Sequence, residues 1–234
     1  MSTKQVSRDS LATQLYNGLR HALMDGQYAP GERLTISGIA AEYGTSITPV
    51  REAIFRLVSE RSLVLRAATS VQVPELDPAR MREVQLIRIH LEGEAAALAA
   101  TRITDSRLSE LKALNERFIE AAASDPAEAS LLNRDFHFAI LRLADKPILE
   151  GICENMWVLM GPFLRIFHDR MPVRKLSRES HRHFDLIGAL EARDAQASRT
   201  AMEEDIRWGD EMLVILEREL GNSSLPGPAG MDNL

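Results

Sequence analysis

Apolar side chains recur at helical spacing from the start of the chain. In SLATQLYNGLRHALMDG, Leu11, Leu15, Leu19, Ala22 and Leu23 fall on one stripe, and Gly26 is placed to end the helix. YAPGERL predicts a turn around Pro30 and Gly31. Ile36, Ile39, Ala40 and Tyr43 then follow at i, i+3, i+4 and i+7, a short helix broken by Gly44. In YGTSITPVREAIFRLVSER the period continues through Val50, Ile54 and Leu57. Ser46 or Thr48 can cap this helix, and Pro49 is tolerated in a first turn whose N–H groups lack helical partners. In SLVLRAATSVQV the period changes: Leu63 and Leu65, then Val71 and Val73, alternate as paired strands do. Three helices followed by a β-hairpin is the order of a winged helix-turn-helix.

PELDPAR reads as a linker, with Asp77 capping and Pro78 opening the next helix. From Pro78 to about Leu220 the pattern is helical throughout. Val84, Ile87, Leu91, Ala95 and Leu98 make one stripe, and further helices begin near Asp105, Asp125, Pro147, Lys175 and Asp194. Such a run predicts an antiparallel bundle. The pattern predicts a mainly α chain: a winged helix-turn-helix with a small β-hairpin wing over 1–74, a linker at 75–77, and an all-α antiparallel bundle over 78–220. The Gly/Pro/Ser-rich tail, 221–234, reads as disordered.

Composition narrows the function classes. No apolar run approaches the roughly 20 residues that span a bilayer, and MSTKQVSRDS lacks the apolar segment of a secretory signal. The single cysteine, Cys153, sits in an apolar context and reads as a buried thiol. These features point to the cytoplasm. Residues 1–74 hold eight basic and six acidic side chains, whereas the remainder holds 20 and 28. A mildly basic front on an acidic body suits a head that meets an anion.

In a helix-turn-helix the second helix of the motif enters the major groove by its N-terminal end. Ser46, Thr48 and the free first-turn N–H groups can hold phosphate oxygens, and Arg51 can contact a phosphate or fork onto guanine. QLYNGLRHALMDGQYAPGERL, IAAEYGTS, TPVREAIFRLVSE and VQV resemble the DNA-binding domain of the GntR family of bacterial transcription regulators. By that resemblance Arg33 lies near the DNA backbone. Ile47 and Ser70 stand where the family commonly has an Arg and a wing Gly. Ile47 cannot fork onto guanine but can touch a thymine methyl, so the base preference is expected to differ.

IRIHLEGEAAALAA, NRDFHFAIL and HFDLIGALEARDAQASRTAMEEDI resemble the FCD effector domain of the FadR branch of that family. The resemblance implies a small-carboxylate binder assisted by a divalent ion, held by an Asp or Asn, a His four residues on, and two later His. Asn133 and His137 share a helix face, and matching the phrases adds His183 and, in place of the usual His, Asp205. Zn²⁺, Mn²⁺ or Ni²⁺ fits these ligand types. His181 is expected to point off the face of His183, and Asp135 to be solvated. Arg88 reads either as an i, i+4 surface pair with Glu92 or, by resemblance, as a guanidinium that forks onto the effector; Arg134 and Arg165 are further effector candidates.

The reading is a homodimeric regulator, not an enzyme, that binds a palindromic double-stranded operator and responds to a carboxylate. Two alternatives are a metal-dependent helical-bundle enzyme and a dimerisation adaptor with a vestigial head. Against the enzyme, no His has a Glu three residues before it, the spacing of helical di-metal sites.

Overall fold

A computed structural model describes residues 10–170 and 181–210 together with 213, 214 and 217, with only the backbone for 165–170. The helix expected near Lys175, the Arg165 side chain and the tail 221–234 lie outside the described residues. The first helix, α1 (Leu11–Met24), is capped by Ser10, whose hydroxyl accepts from the Thr13 N–H at 3.2 Å. Gly26 follows it in the left-handed region at φ +65°, where a side chain is strained. After the turn come β1 (Arg33–Thr35), α2 (Ile36–Glu42), α3 (Ile47–Ser59), β2 (Val64–Ala67) and β3 (Ser70–Gln72).

The sheet runs β1-β3-β2 and is antiparallel, with Leu34 and Leu65 both opposite Val71. The hairpin expected from the alternation is β2 and β3. Strand β1 is an addition, three residues long and too short to show a period of its own. The start of α3 also departs from expectation. Ser46 holds the cap position, yet its hydroxyl makes no capping bond. A cap accepts from the second or third helical N–H, and the third residue here is Pro49, which has none.

The bundle comprises α4 (Pro78–Ala100), α5 (Asp105–Ala122), α6 (Pro126–Ala144), α7 (Pro147–Arg170), α8 (His183–Glu191) and α9 (Ala195–Arg207). Asp77, Thr104, Asp125 and Asp194 cap α4, α5, α6 and α9 through their side chains. The long α4 packs against α9, α6 and α7, while α5 packs against α6 and α8. Its buried face carries Arg88 and Glu92 among the apolar residues. Among the described residues no helix is long and apolar enough to cross a membrane.

Head and bundle share one core: Leu19 and Leu23 of α1 and Ile54 and Leu57 of α3 join Leu141 and Trp157 in a single apolar cluster. Cys153 is buried in the same cluster, and burial pushes its thiol well above the ordinary range. Gly161 of α7 lies directly under α1, where a Cβ would come 1.8 Å from the Leu23 carbonyl oxygen. Arg20 of α1 donates to Glu154 at 2.7 Å and to Asn155 at 2.5 Å, and Arg134 of α6 pairs with Asp25 just past the end of α1.

Candidate functional sites

The head presents one polar surface. Ser46, Ile47, Thr48 and Arg51 are all exposed at the start of α3, with Ile47 49% accessible despite its apolar side chain. The opposite face of the helix, Val50, Ala53, Ile54 and Leu57, is fully buried. The same amphipathic period therefore fixes the helix and turns these four residues outward. Arg33 is exposed on β1 opposite Gln72, and Ser70 is half-buried on β3 opposite Thr35. On the neighbouring strand Arg66, which the sequence reading did not single out, donates to the Gln72 side chain. Gln72 is itself anchored to the Gly31 carbonyl at 2.7 Å.

The second site is a cavity of about 120 Å³ inside the bundle, with room for several waters or a small acid. Asn133 and His137 of α6, Asp205 of α9, Arg88 of α4 and His181 all line it. His183, fully buried at the start of α8, stands beside it. Donor atoms of His137, His183 and Asp205 lie within 4.8 Å of one another. His137 Nε2 is 3.2 Å from Asp205 Oδ2, and His183 Nε2 is 3.7 Å from the same oxygen.

Behind these groups stands a layer that the sequence reading missed. His137 Nδ1 lies 2.7 Å from Glu92 Oε2, and His183 Nδ1 lies 3.0 Å from Asn115 Oδ1. Glu92 also accepts from Arg88 Nε at 2.6 Å and from the Trp157 indole at 3.2 Å. Each bond joins positions 45 or more residues apart except the Arg88–Glu92 pair, so only the fold brings them together.

The electrostatics follow from this burial. Burial alone disfavours the Glu92 carboxylate, but the Arg88 and His137 charges outweigh it and hold Glu92 down at about 2. For Asp205 burial is likewise opposed by the surrounding imidazoles, His183 and His137, and its carboxyl is held below the usual range. His137 is raised: burial opposes its charge, but carboxylates stand at both of its nitrogens. His183 is pushed well below the ordinary imidazole value by burial.

With Nδ1 turned to the Asn115 amide oxygen, His183 presents Nε2 towards Asp205. That atom is buried without a hydrogen-bond partner and faces an ionised carboxylate. An imidazole nitrogen and a carboxylate oxygen at this spacing can share a cation. Adjacent donors around a tetrahedral ion with bonds near 2.1 Å sit roughly 3.4 Å apart, close to the spacings here. The residues present fit a divalent ion.

Three expectations change. His181 does not point away: it lines the cavity, its ring 4.1 Å from that of His183. It precedes the first residue of α8, so helical spacing does not govern where it faces. Arg88 does pair with Glu92, but the pair is buried rather than at the surface. Its guanidinium also stacks over Trp157 at 4.1 Å and donates to the Met160 sulfur, so it reaches the cavity with its fork already closed on Glu92. Arg134 is not in this cavity. One helical step past Asn133, it turns towards the head and pairs with Asp25 and Asp135.

Residues 11–73 match the gntR family of bacterial regulatory proteins, and residues 83–207 match the FCD domain. The HTH-type transcriptional regulator McbR of Escherichia coli K12 is 36% identical over 203 residues, covering 86% of this chain and 92% of that protein. The HTH-type transcriptional repressor RspR of the same organism is 26% identical over 208 residues, 88% of this chain and 90% of that one. The solved structure of E. coli McbR/YncC superposes with a TM-score of 0.83 at 34% identity, covering 90% of this chain and 100% of that chain. A GntR-type regulator from Rhodococcus, at 22% identity and a TM-score of 0.67, covers 87% of this chain and 97% of its own and shares the fold.

Proposed function

Since the chain belongs to the gntR family of bacterial regulatory proteins and carries an FCD domain, we propose that it is a transcription regulator whose operator affinity is tuned by a small carboxylate in the bundle cavity. The operator is a palindromic duplex bound by two copies of the chain, because a two-fold protein reads paired half-sites. The groove-facing residues are Ser46, Ile47, Thr48 and Arg51, with Arg33 and Ser70 towards the backbone and wing. Ser46 supports this reading in particular, since its hydroxyl is exposed and makes no capping bond, which leaves it for a phosphate.

A divalent ion, Zn²⁺, Mn²⁺ or Ni²⁺, would be held by His137, His183 and Asp205 with Asn133 beside them. When bound it would supply a Lewis-acidic anchor for one end of the carboxylate. Arg88 adds positive potential from the cavity wall.

The observation that carries the coupling is the double role of α7. Met160 and Phe163 line the cavity, while Gly161 between them lies against the Leu23 carbonyl of the head. A ligand that presses α7 towards α1 pushes on the Leu23 carbonyl, because the two backbones approach too closely there for even a Cβ between them. A ligand with different affinity for the two placements of the head then changes DNA affinity by that difference.

A thermal-shift screen of small mono- and dicarboxylates and sugar acids, with and without added Zn²⁺, Mn²⁺ or Ni²⁺, tests the ligand class. A compound present at about 100 times its Kd stabilises the native state by about 2.7 kcal/mol, a rise in Tm on the order of 5–10 °C for a chain of this size. The expected result is such a rise for at least one acid, larger with metal than without. No shift with any acid under any condition contradicts the reading.

A further inference from the structure

An imidazole that carries one proton has two tautomers, and at His183 they give the cavity opposite chemistry. With the proton on Nε2, the ring would donate to Asp205 and the pair would close on itself. With the proton on Nδ1, the ring turns a lone pair to the cavity. The distances separate these cases: Nδ1 to Asn115 Oδ1 is 3.0 Å, within hydrogen-bond range, whereas Nε2 to Asp205 Oδ2 is 3.7 Å, outside it. Phe136 stacks on the ring at 3.9 Å and fixes its plane, but an aromatic face cannot choose between the two nitrogens. Asn115, buried on α5, is the group at hydrogen-bond distance from Nδ1.

We propose that Asn115 is the positioning residue of this site: by accepting the Nδ1 proton of His183 it keeps the Nε2 lone pair directed at the cavity, ready for a divalent ion. This rests on the metal reading above, and it deepens it by naming the residue that makes His183 a ligand rather than a donor. The two imidazoles then have unlike supports, a carboxylate (Glu92) behind His137 and an amide (Asn115) behind His183. A ligating imidazole is oriented, and its tautomer fixed, by the acceptor at its other nitrogen, and loss of that acceptor typically lowers metal affinity about 10- to 100-fold.

The test uses full-length protein labelled with ¹⁵N at histidine. Long-range ¹H–¹⁵N correlation reads which nitrogen of His183 carries the proton, and a Co²⁺ titration reads affinity through the visible absorption of the bound ion. Wild type should show a protonated Nδ1 on His183. Asn115→Leu, of similar volume but with no acceptor, should move the proton to Nε2 and weaken Co²⁺ binding about 10- to 100-fold. Asn115→Asp keeps an acceptor and should retain both the wild-type tautomer and Co²⁺ affinity within a few-fold. A purely structural Asn115 would leave the tautomer unmoved in any variant that folds. Wild-type His183 carrying its proton on Nε2 overturns the assignment without any variant, as does Asn115→Leu with unchanged tautomer and affinity. If wild type takes up no Co²⁺, the metal reading fails, and the tautomer comparison alone still decides the role of Asn115.

Discussion

Arg51→Ala is expected to remove operator binding while leaving the fold intact. Arg51 is exposed at the start of α3 and makes no hydrogen bond or ion pair among the described residues, so its loss should change stability by no more than about 0.5 kcal/mol. Under the proposed reading its guanidinium meets a phosphate or a base edge of the operator. A guanidinium bidentate to a base contributes about 1–3 kcal/mol of discrimination, and two copies on a two-fold site double that loss. Affinity for the operator should fall by about 1.5 to 4 orders of magnitude, with circular dichroism and Tm unchanged. Fluorescence anisotropy of a labelled duplex measures the first, and a thermal melt the second. Wild-type affinity in the variant would remove α3 from the groove.

The second large effect is expected at Glu92→Leu. Glu92 is fully buried and accepts from Arg88, His137 and Trp157 together. Removing its carboxylate leaves the Arg88 guanidinium, itself 6% exposed, without a counter-charge. Breaking a buried pair by deleting one partner costs about 3–5 kcal/mol, so Tm should fall on the order of 10 °C. The double variant Arg88→Met/Glu92→Leu removes both charges and should recover much of that loss, since an apolar pair of similar volume avoids the desolvation that the ions suffer. A Glu92→Leu protein as stable as wild type would mean that Arg88 and Glu92 are not the coupled pair their 2.6 Å contact implies.

Much of the fold is legible because its signals are local. Asp77, Asp125 and Asp194 each precede a helix and each caps it through its side chain. The i, i+4 spacing likewise brings Asn133 and His137 to one cavity. What cannot be read locally is what the fold assembles. Glu92 meets His137 across 45 positions and Asn115 meets His183 across 68, and nothing in the sequence around Glu92 or Asn115 marks them as partners of an imidazole. A charged residue in the apolar stripe of α4 was a signal for Arg88 and Glu92, but it fits a surface pair equally well until burial is known. Arg134 shows the opposite case: it was an effector candidate, whereas one helical step past Asn133 turns its side chain to the head.

In the proposed regulator, exposed residues at the start of α3 read an operator and the bundle cavity controls how tightly. The most direct measurement is a titration of the full chain on duplex DNA from its own upstream region. A scrambled duplex of equal length serves as control, at two salt concentrations, with and without the acid that most raises Tm. The account predicts tighter binding to the upstream duplex than to the scrambled one, a steep loss of affinity with salt from phosphate contacts, and a change in affinity when the acid is added. Equal affinity for both duplexes, or binding that neither salt nor the acid alters, would contradict it.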